Sequence, residues 1–314
     1  MKLLSLPSLT KFAKEEHMLG YLRVFVSYYY YVLPIIAFLF LVNNIDKKPN
    51  FDPIWPLLWS EWFGLDSATT AVTIKLVFLL TSIVAVLLFK YRLTRLLVFL
   101  LIFEVHALES SFGFVNHQWY TWLYTSGIFV FLPDIWGKRE ANVSGALLAV
   151  WTAQAYVMLT YTMAGINKFV RLVEQWQAGE VHGFAKEAFL YQAASWVPQL
   201  QQPAYLLVVI DAHPYLFSAT YILLYFLQLF AIWTMIRFSL QRLWAVLFII
   251  FHFGTYLAMG ISFPQHIILL CVLFLPTPFD FGQYSWKRIF FDLPIIGQIA
   301  EHAWTRKPKA DAII

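Results

Sequence analysis

Apolar runs of membrane-spanning length recur along this chain, near residues 21–42, 71–89, 94–114, 119–133, 143–168, 214–236, 242–260 and 263–279. The hydrocarbon core of a bilayer is roughly 30 Å thick, and a helix needs about 20 residues to cross it. Within it every backbone amide and carbonyl must find its partner inside the chain, which a helix supplies. The runs predict an all-α fold, a polytopic membrane helical bundle of about eight transmembrane helices. Composition agrees, because 60% of the 314 residues are hydrophobic and only 13% are charged, against about 25% charged in a soluble domain. The runs 119–133 and 263–279 are short, so each is a candidate for a tilted, re-entrant or merged segment. A tight hairpin of 94–114 with 119–133 is the alternative for that pair.

Charge sets the expected sidedness, because cytoplasmic loops carry the excess of lysine and arginine. Lys2, Lys11, Lys14 and Arg23 open the chain, and Lys90, Arg92 and Arg95 follow the second run. Lys138 and Arg139 follow the fourth, Arg237 and Arg242 the sixth, and Lys287, Arg288, Arg306, Lys307 and Lys309 the eighth. With eight spans all five clusters fall on one side, which places both termini in the cytoplasm. The expected organisation is a cytoplasmic N-terminal segment 1–20, a transmembrane domain 21–280 and a cytoplasmic tail 281–314, disordered from 301. Residues 1–20 lack the short apolar core and small-residue site of a cleavable signal. The stretch 9–22 reads either as an amphipathic surface helix or as an ordinary solvated one. The segments 43–70 and 169–213 are expected on the outer side, as long connections or as covers lying flat on the membrane.

The net charge of +4 reflects this cytoplasmic bias. No basic stripe interleaved with exposed aromatics is visible, and no nucleic-acid partner is expected. Cys271 is the single cysteine, so no intramolecular disulfide can form. There is no helical zinc motif, phosphate-binding glycine loop or nucleophile elbow, and no metal site is expected.

Polar residues inside apolar runs are costly and tend to be functional. Lys168 closes the run 143–168, where Tyr161, Ala164, Gly165 and Lys168 share one helical face by three-and-four spacing. Ala164 and Gly165 admit a neighbouring helix closely, which would hold the lysine in a partly dry site where a neutral amine can serve as a base. The plain alternative is a lysine snorkelling to the interface. Asn116 and His117 open the fourth run, either as a hydrogen-bonding pair at a cavity rim or as part of an aromatic belt. His252 lies halfway through the seventh run with Tyr256 one turn on, and at that depth it needs a partner. Glu104, His106 and Glu109 lie in the third run, where they either line a polar cavity or form internal ion pairs.

These landmarks together resemble the horizontally transferred transmembrane (HTTM) domain family, which includes the membrane domain of vitamin K-dependent gamma-carboxylase. The family segment, an aromatic residue, two positions, Ala-Gly, two positions and Lys, then Trp-x-x-Gly, is matched by Tyr161, Ala164-Gly165, Lys168, Trp176 and Gly179. The Asn-His pair is matched by Asn116-His117, and the late Phe-His and Gly-x-Phe elements by Phe251-His252 and Gly260 to Phe263. The resemblance covers about residues 15–280. It implies a catalytic base at Lys168 assisted by His117 and His252. It also implies that Asn116 holds a quinol or glutamate oxygen, and Glu109, His106, Tyr161, Trp176 and Tyr256 are the further candidate substrate or cofactor contacts. The implied cofactor is reduced vitamin K or menaquinone, and the implied substrate is a peptide or lipid at the non-cytoplasmic face.

Two departures stand beside it. The chain stops soon after its eighth run, where the carboxylase continues into a lumenal domain, and the stretch from Lys168 to Trp176 is longer than the family pattern. Short bacterial members of that family include a membrane protein needed to mature a secreted sporulation-delay toxin, so a non-enzymatic maturation, export or immunity partner of a secreted peptide stays open. A transporter is the third class, and the lack of an inverted repeat argues against it. The expected location is a bacterial cell membrane, with lipids as constant partners.

Overall fold

The computed structural model describes residues 17–44, 67–111, 119–137, 142–200, 205–279 and 285–305. Among them every regular element is helical, and the chain divides into two compact units, Met1–Tyr156 and Val157–Ile314. Among the described residues, four helical stretches are long and apolar enough to cross a membrane: Met18–Val42, Thr69–Leu88, Val143–Ala178 and Phe238–Met259. A bent pair, Leu206–Ala212 with Pro214–Leu229, makes a fifth if taken as one span.

The first unit holds α1 (Met18–Asn44), α2 (Ser67–Leu88), α3 (Arg92–Ser111), α4 (Tyr120–Val130) and the start of α5 (Val143–Ala178). From α1 to α4, chain neighbours pack on one another in turn. In α1 the buried residues Leu22, Phe25, Val26, Tyr29, Tyr30, Leu33, Ile36, Ala37 and Phe40 recur at three-and-four spacing, the stripe that one helical face presents to a core. The opposite face is equally apolar and exposed: Val24, Tyr28, Tyr31, Ile35 and Phe38. A helix apolar on all sides belongs in lipid or deep in a core. The core is aromatic, with Tyr29 edge-on to Phe129 at 4.9 Å, Tyr30 stacked on Phe89 at 5.2 Å and Phe40 edge-on to Trp119 at 4.9 Å.

Arginines close one end of this unit. Arg23 Nε donates to the carbonyl of Ile135 at 2.6 Å, and Arg95 Nη2 donates to that of Leu132 at 2.9 Å. Two of the basic groups expected on one side thus meet the same short segment. The described part of the run expected at 94–114 folds as α3, ending at Ser111, and its four Arg and Glu residues set it apart from the long apolar helices. Residues 1–16, 45–66 and 138–141, which carry much of the expected N-terminal segment, the outer segment 43–70 and Lys138-Arg139, lie outside the described residues.

The second unit holds the rest of α5, then α6 (Ala188–Leu200), α7 (Tyr205–Ala212), α8 (Pro214–Leu229), 3-10 turns at Ala231–Met235 and Phe238–Leu240, α9 (Gln241–Met259), α10 (Pro264–Phe274), α11 (Trp286–Asp292) and α12 (Ile296–Thr305). Prolines and one glycine place its breaks. Pro214 opens α8, and the residue before a proline is pushed out of helical geometry. The chain bends there by 100°. Gly260 ends α9 with φ of 68°, in the left-handed region that favours glycine, and its N–H returns to the Tyr256 carbonyl. The stretch Gly260 to Phe263 is therefore the reversal that lays α10 against α9.

Three boundaries differ from the sequence expectation. Helix α5 continues ten residues past Lys168 to Ala178, because 169–178 contains no proline or glycine to stop it. Of the two readings of segment 169–213, an open connection or covers on the membrane, the open connection does not form, because most of the segment is helical. Ala193 of α6 and Ile210 of α7 bury against Ala258 and Met259 of α9. The tail begins as helix and reaches Thr305. At one end of this unit Asp292 accepts from Ser239 Oγ at 2.5 Å and pairs with Arg237 at 3.2 Å and Arg288 at 3.6 Å. Members of two further basic clusters thus share one carboxylate.

Candidate functional site

The second half of α5 carries Tyr161, Thr162, Gly165 and Lys168 along one face. A Cβ added at Gly165 would lie 2.7 Å from the amide nitrogen of Leu229 and 2.8 Å from the carbonyl carbon of Gln228. Only glycine permits that approach, so α5 and the end of α8 touch backbone to backbone. Two side chains flanking the glycine use the contact. Thr162 Oγ1 accepts from the amide of Ile232 at 3.0 Å, just beyond the end of α8. Lys168 Nζ donates to Gln228 Oε1 at 2.8 Å.

Lys168 is partly buried, and its second neighbour is the Phe251 ring, 6.0 Å from Nζ. Among the described residues no carboxylate reaches it within ion-pair distance. A lysine held by a neutral amide and an aromatic ring has lost water without gaining a counter-charge, unlike one that snorkels freely.

One residue on from Phe251, His252 of α9 is 5% exposed and meets Tyr161, with the hydroxyl and Nε2 2.6 Å apart. Phe248, one turn earlier on α9, stacks flat on the Tyr161 ring at 4.0 Å and holds it in place. His266, in the first turn of α10, lies 5.6 Å from His252 ring to ring and 6.4 Å from Tyr161. Phe263, from the reversal before α10, lies 5.1 Å from His252. The Nδ1 atoms of both histidines are buried and have no hydrogen-bond partner among the described residues. Buried polar atoms usually find a partner, so each such orphan calls for an explanation.

The remaining predicted site residues divide in three ways. Asn116 and His117 lie outside the described residues, as does the side chain of Glu109. His106 is buried in the first unit, its ring edge-on to Tyr120 at 4.3 Å. Trp176 and Tyr256 are 65% and 47% exposed, and the bonds and ring contacts just described do not reach them. The structure adds two residues that sequence reasoning passed over, Gln228 and His266. Each is a polar side chain in an apolar run, the same signal that singled out Lys168 and His252.

No group of three or more His, Cys, Asp or Glu side chains among the described residues is arranged to hold a metal ion. The first unit offers a concavity of about 450 Å³ between α3 and α4, lined by Phe99, Phe103, Tyr124 and other apolar groups. It carries no titratable cluster of its own.

Fold and site together define a membrane protein that is helical throughout its described residues, with a part-buried Lys–Gln pair beside a buried Tyr–His pair in its second unit. No protein-family model, curated protein or solved structure matches the chain.

Proposed function

We propose that this protein is a multi-pass membrane enzyme of the gamma-carboxylase type, in which Lys168 is the base that deprotonates a quinol-like cofactor within the second unit. The observation that carries the reading is the Lys168 amine held by Gln228 Oε1 with no carboxylate near it. A general base must be held in place and be available without its proton, and a neutral partner serves both needs.

The residues fit such a cofactor. Aromatic rings of Phe248, Phe251 and Phe263 surround His252 and Tyr161, and two imidazole Nδ1 atoms await polar partners. A quinol, with molecular oxygen as oxidant, would supply the strong base that removes a carbon-bound proton from a peptide or lipid substrate. The chain's own part is narrower. Lys168 takes a proton from a hydroxyl, Gln228 orients the amine, His252 holds an oxygen atom, and the aromatic walls exclude water. In this reading α3, α4, α10 and the bent pair α7–α8 join α1, α2, α5 and α9 to make eight spans, with both termini cytoplasmic in a bacterial cell membrane. The basic groups gathered at Leu132–Ile135 and at Asp292 support that sidedness.

The test is purified protein mixed with reduced menaquinone or vitamin K under oxygen, with epoxide as the readout. Wild type forms epoxide, whereas Lys168→Ala and Lys168→Arg do not, because arginine stays protonated. Equal epoxide from folded Lys168→Ala, or none from wild type, overturns the reading and returns weight to a peptide-maturation partner.

A further inference from the structure

The Tyr161–His252 hydrogen bond has only two proton arrangements for neutral groups. In the first, the phenol donates to Nε2, so the imidazole proton sits on Nδ1. In the second, Nε2–H donates to the phenol oxygen and Nδ1 is bare. The second leaves two buried orphans, the phenolic hydrogen and the Nδ1 lone pair, since among the described residues Tyr161 has no other hydrogen-bond partner and Nδ1 has none. The first leaves a single orphan, the Nδ1–H. Each unpaired buried polar group carries a desolvation cost comparable to a lost hydrogen bond, so the first arrangement prevails.

We infer that Tyr161 is a positioning residue that locks His252 in the Nδ1–H tautomer, and that this buried donor is a binding point for an acceptor oxygen of a ligand, of the carbonyl type found in quinones. The stacked Phe248 ring fixes the phenol, and the phenol fixes the imidazole. Lys168 Nζ lies 6.0 Å from the ring of Phe251, which is itself 5.0 Å from the His252 ring, so a molecule with an oxygen held at Nδ1 can extend to the amine. His266, with its own buried Nδ1 at a ring distance of 5.6 Å, is a further group able to share that oxygen. The ligand half rests on the quinol reading above; the tautomer half does not.

The test is histidine nitrogen NMR on full-length protein labelled with ¹⁵N-histidine in nanodiscs, with the His252 signals assigned by their loss in His252→Asn. Wild type shows His252 protonated at Nδ1, and Tyr161→Phe, shown to be folded by size exclusion, shifts it to a mixture or to Nε2–H. An Nε2–H form in wild type overturns the inference outright. An unchanged tautomer in Tyr161→Phe overturns the positioning role.

The ligand half is read by quenching of tryptophan fluorescence with menadione as the probe. An asparagine amide falls where Nδ1 lies, and a glutamine amide where Nε2 lies. His252→Asn therefore retains binding, whereas His252→Gln weakens it about tenfold, the scale of one lost buried hydrogen bond. Equal binding by the two variants, or no binding by wild type, overturns the acceptor-oxygen site. The epoxide assay with Lys168→Ala judges the base chemistry separately, so the two failures are told apart.

Discussion

In the unit Met1–Tyr156 Ser82, Ser126 and Arg95 are buried side chains that bond main-chain carbonyls, whereas in Val157–Ile314 two side-chain pairs join distant stretches of chain. Ser82 Oγ donates to the Phe78 carbonyl one turn back, Ser126 to that of Leu123, and Arg95 to that of Leu132. Against these stand Tyr161 with His252, 91 residues apart, and Lys168 with Gln228, 60 apart. A hydroxyl that bonds back to its own helix is satisfied wherever that helix goes. A side-chain pair between helices exists only in the finished fold, and its members are costly anywhere else in the membrane. The first arrangement lets a polar residue tolerate burial; the second concentrates polar groups at one place, as a site requires.

The largest effect that would sharpen this contrast is on turnover. Lys168→Ala should lower quinol epoxidation by on the order of 10²–10⁴-fold, the usual contribution of a positioned base, while Lys75→Ala in the first unit leaves it within about threefold on the same scale. Lys75 is also buried and lies 5.1 Å from the Phe40 ring, so burial of a lysine alone would predict the same loss for both.

The next effect is steric. Gly165→Ala puts a Cβ within 2.7–2.9 Å of three atoms of α8, two of them backbone. It should destabilise the protein by about 1–3 kcal/mol, as overpacking does. Gly127→Ala in the first unit meets only the Phe99 side chain, at 3.1–3.8 Å. That ring can shift, and the gain in helix propensity of about 1 kcal/mol offsets the crowding. Thermal unfolding in detergent should show a clear loss for the first variant and little change for the second.

A smaller difference separates two tyrosines. Tyr161→Phe strands His252 Nε2 and should cost about 1–2 kcal/mol. Tyr30→Phe removes a buried hydroxyl that has no partner among the described residues, and should be neutral or slightly stabilising. Equal losses in the two variants would erase the distinction between the units. Smallest of all, Ser82→Ala should cost about 0.5 kcal/mol in the same melts, the low end for one hydrogen bond, because the Phe78 carbonyl keeps its helical partner.

Much of the cluster was legible before any coordinates. Lys168 and His252 stood out because charge or polarity inside an apolar run is rare, and Gly165 because its spacing put it on the lysine's face. Gln228 and His266 carry the same signal more weakly, since an amide and a neutral imidazole cost less in lipid than an ammonium. The end of α5 was misplaced because the apolar pattern fades after Lys168 while helix-forming residues continue to Ala178. The segment 169–213 reads as a connection or a surface cover because α6 and α7 are too short to register as spans. Their burial against Ala258 and Met259 makes them part of the unit's core.

The sequence alone determined that this is an all-helical membrane protein and where its polar residues are anomalous. Those are properties of composition and period, and every long run reports them independently. It also determined the breaks at Pro214, Gly260 and Pro264, because proline and glycine act through local backbone geometry. Only the tertiary structure decided that Lys168 meets Gln228, that Tyr161 meets His252 and that His266 joins them. Those pairings depend on the approach of α5 to α8 and on the reversal that lays α10 against α9. Contacts between distant parts of a chain leave no periodic trace in the order of its residues.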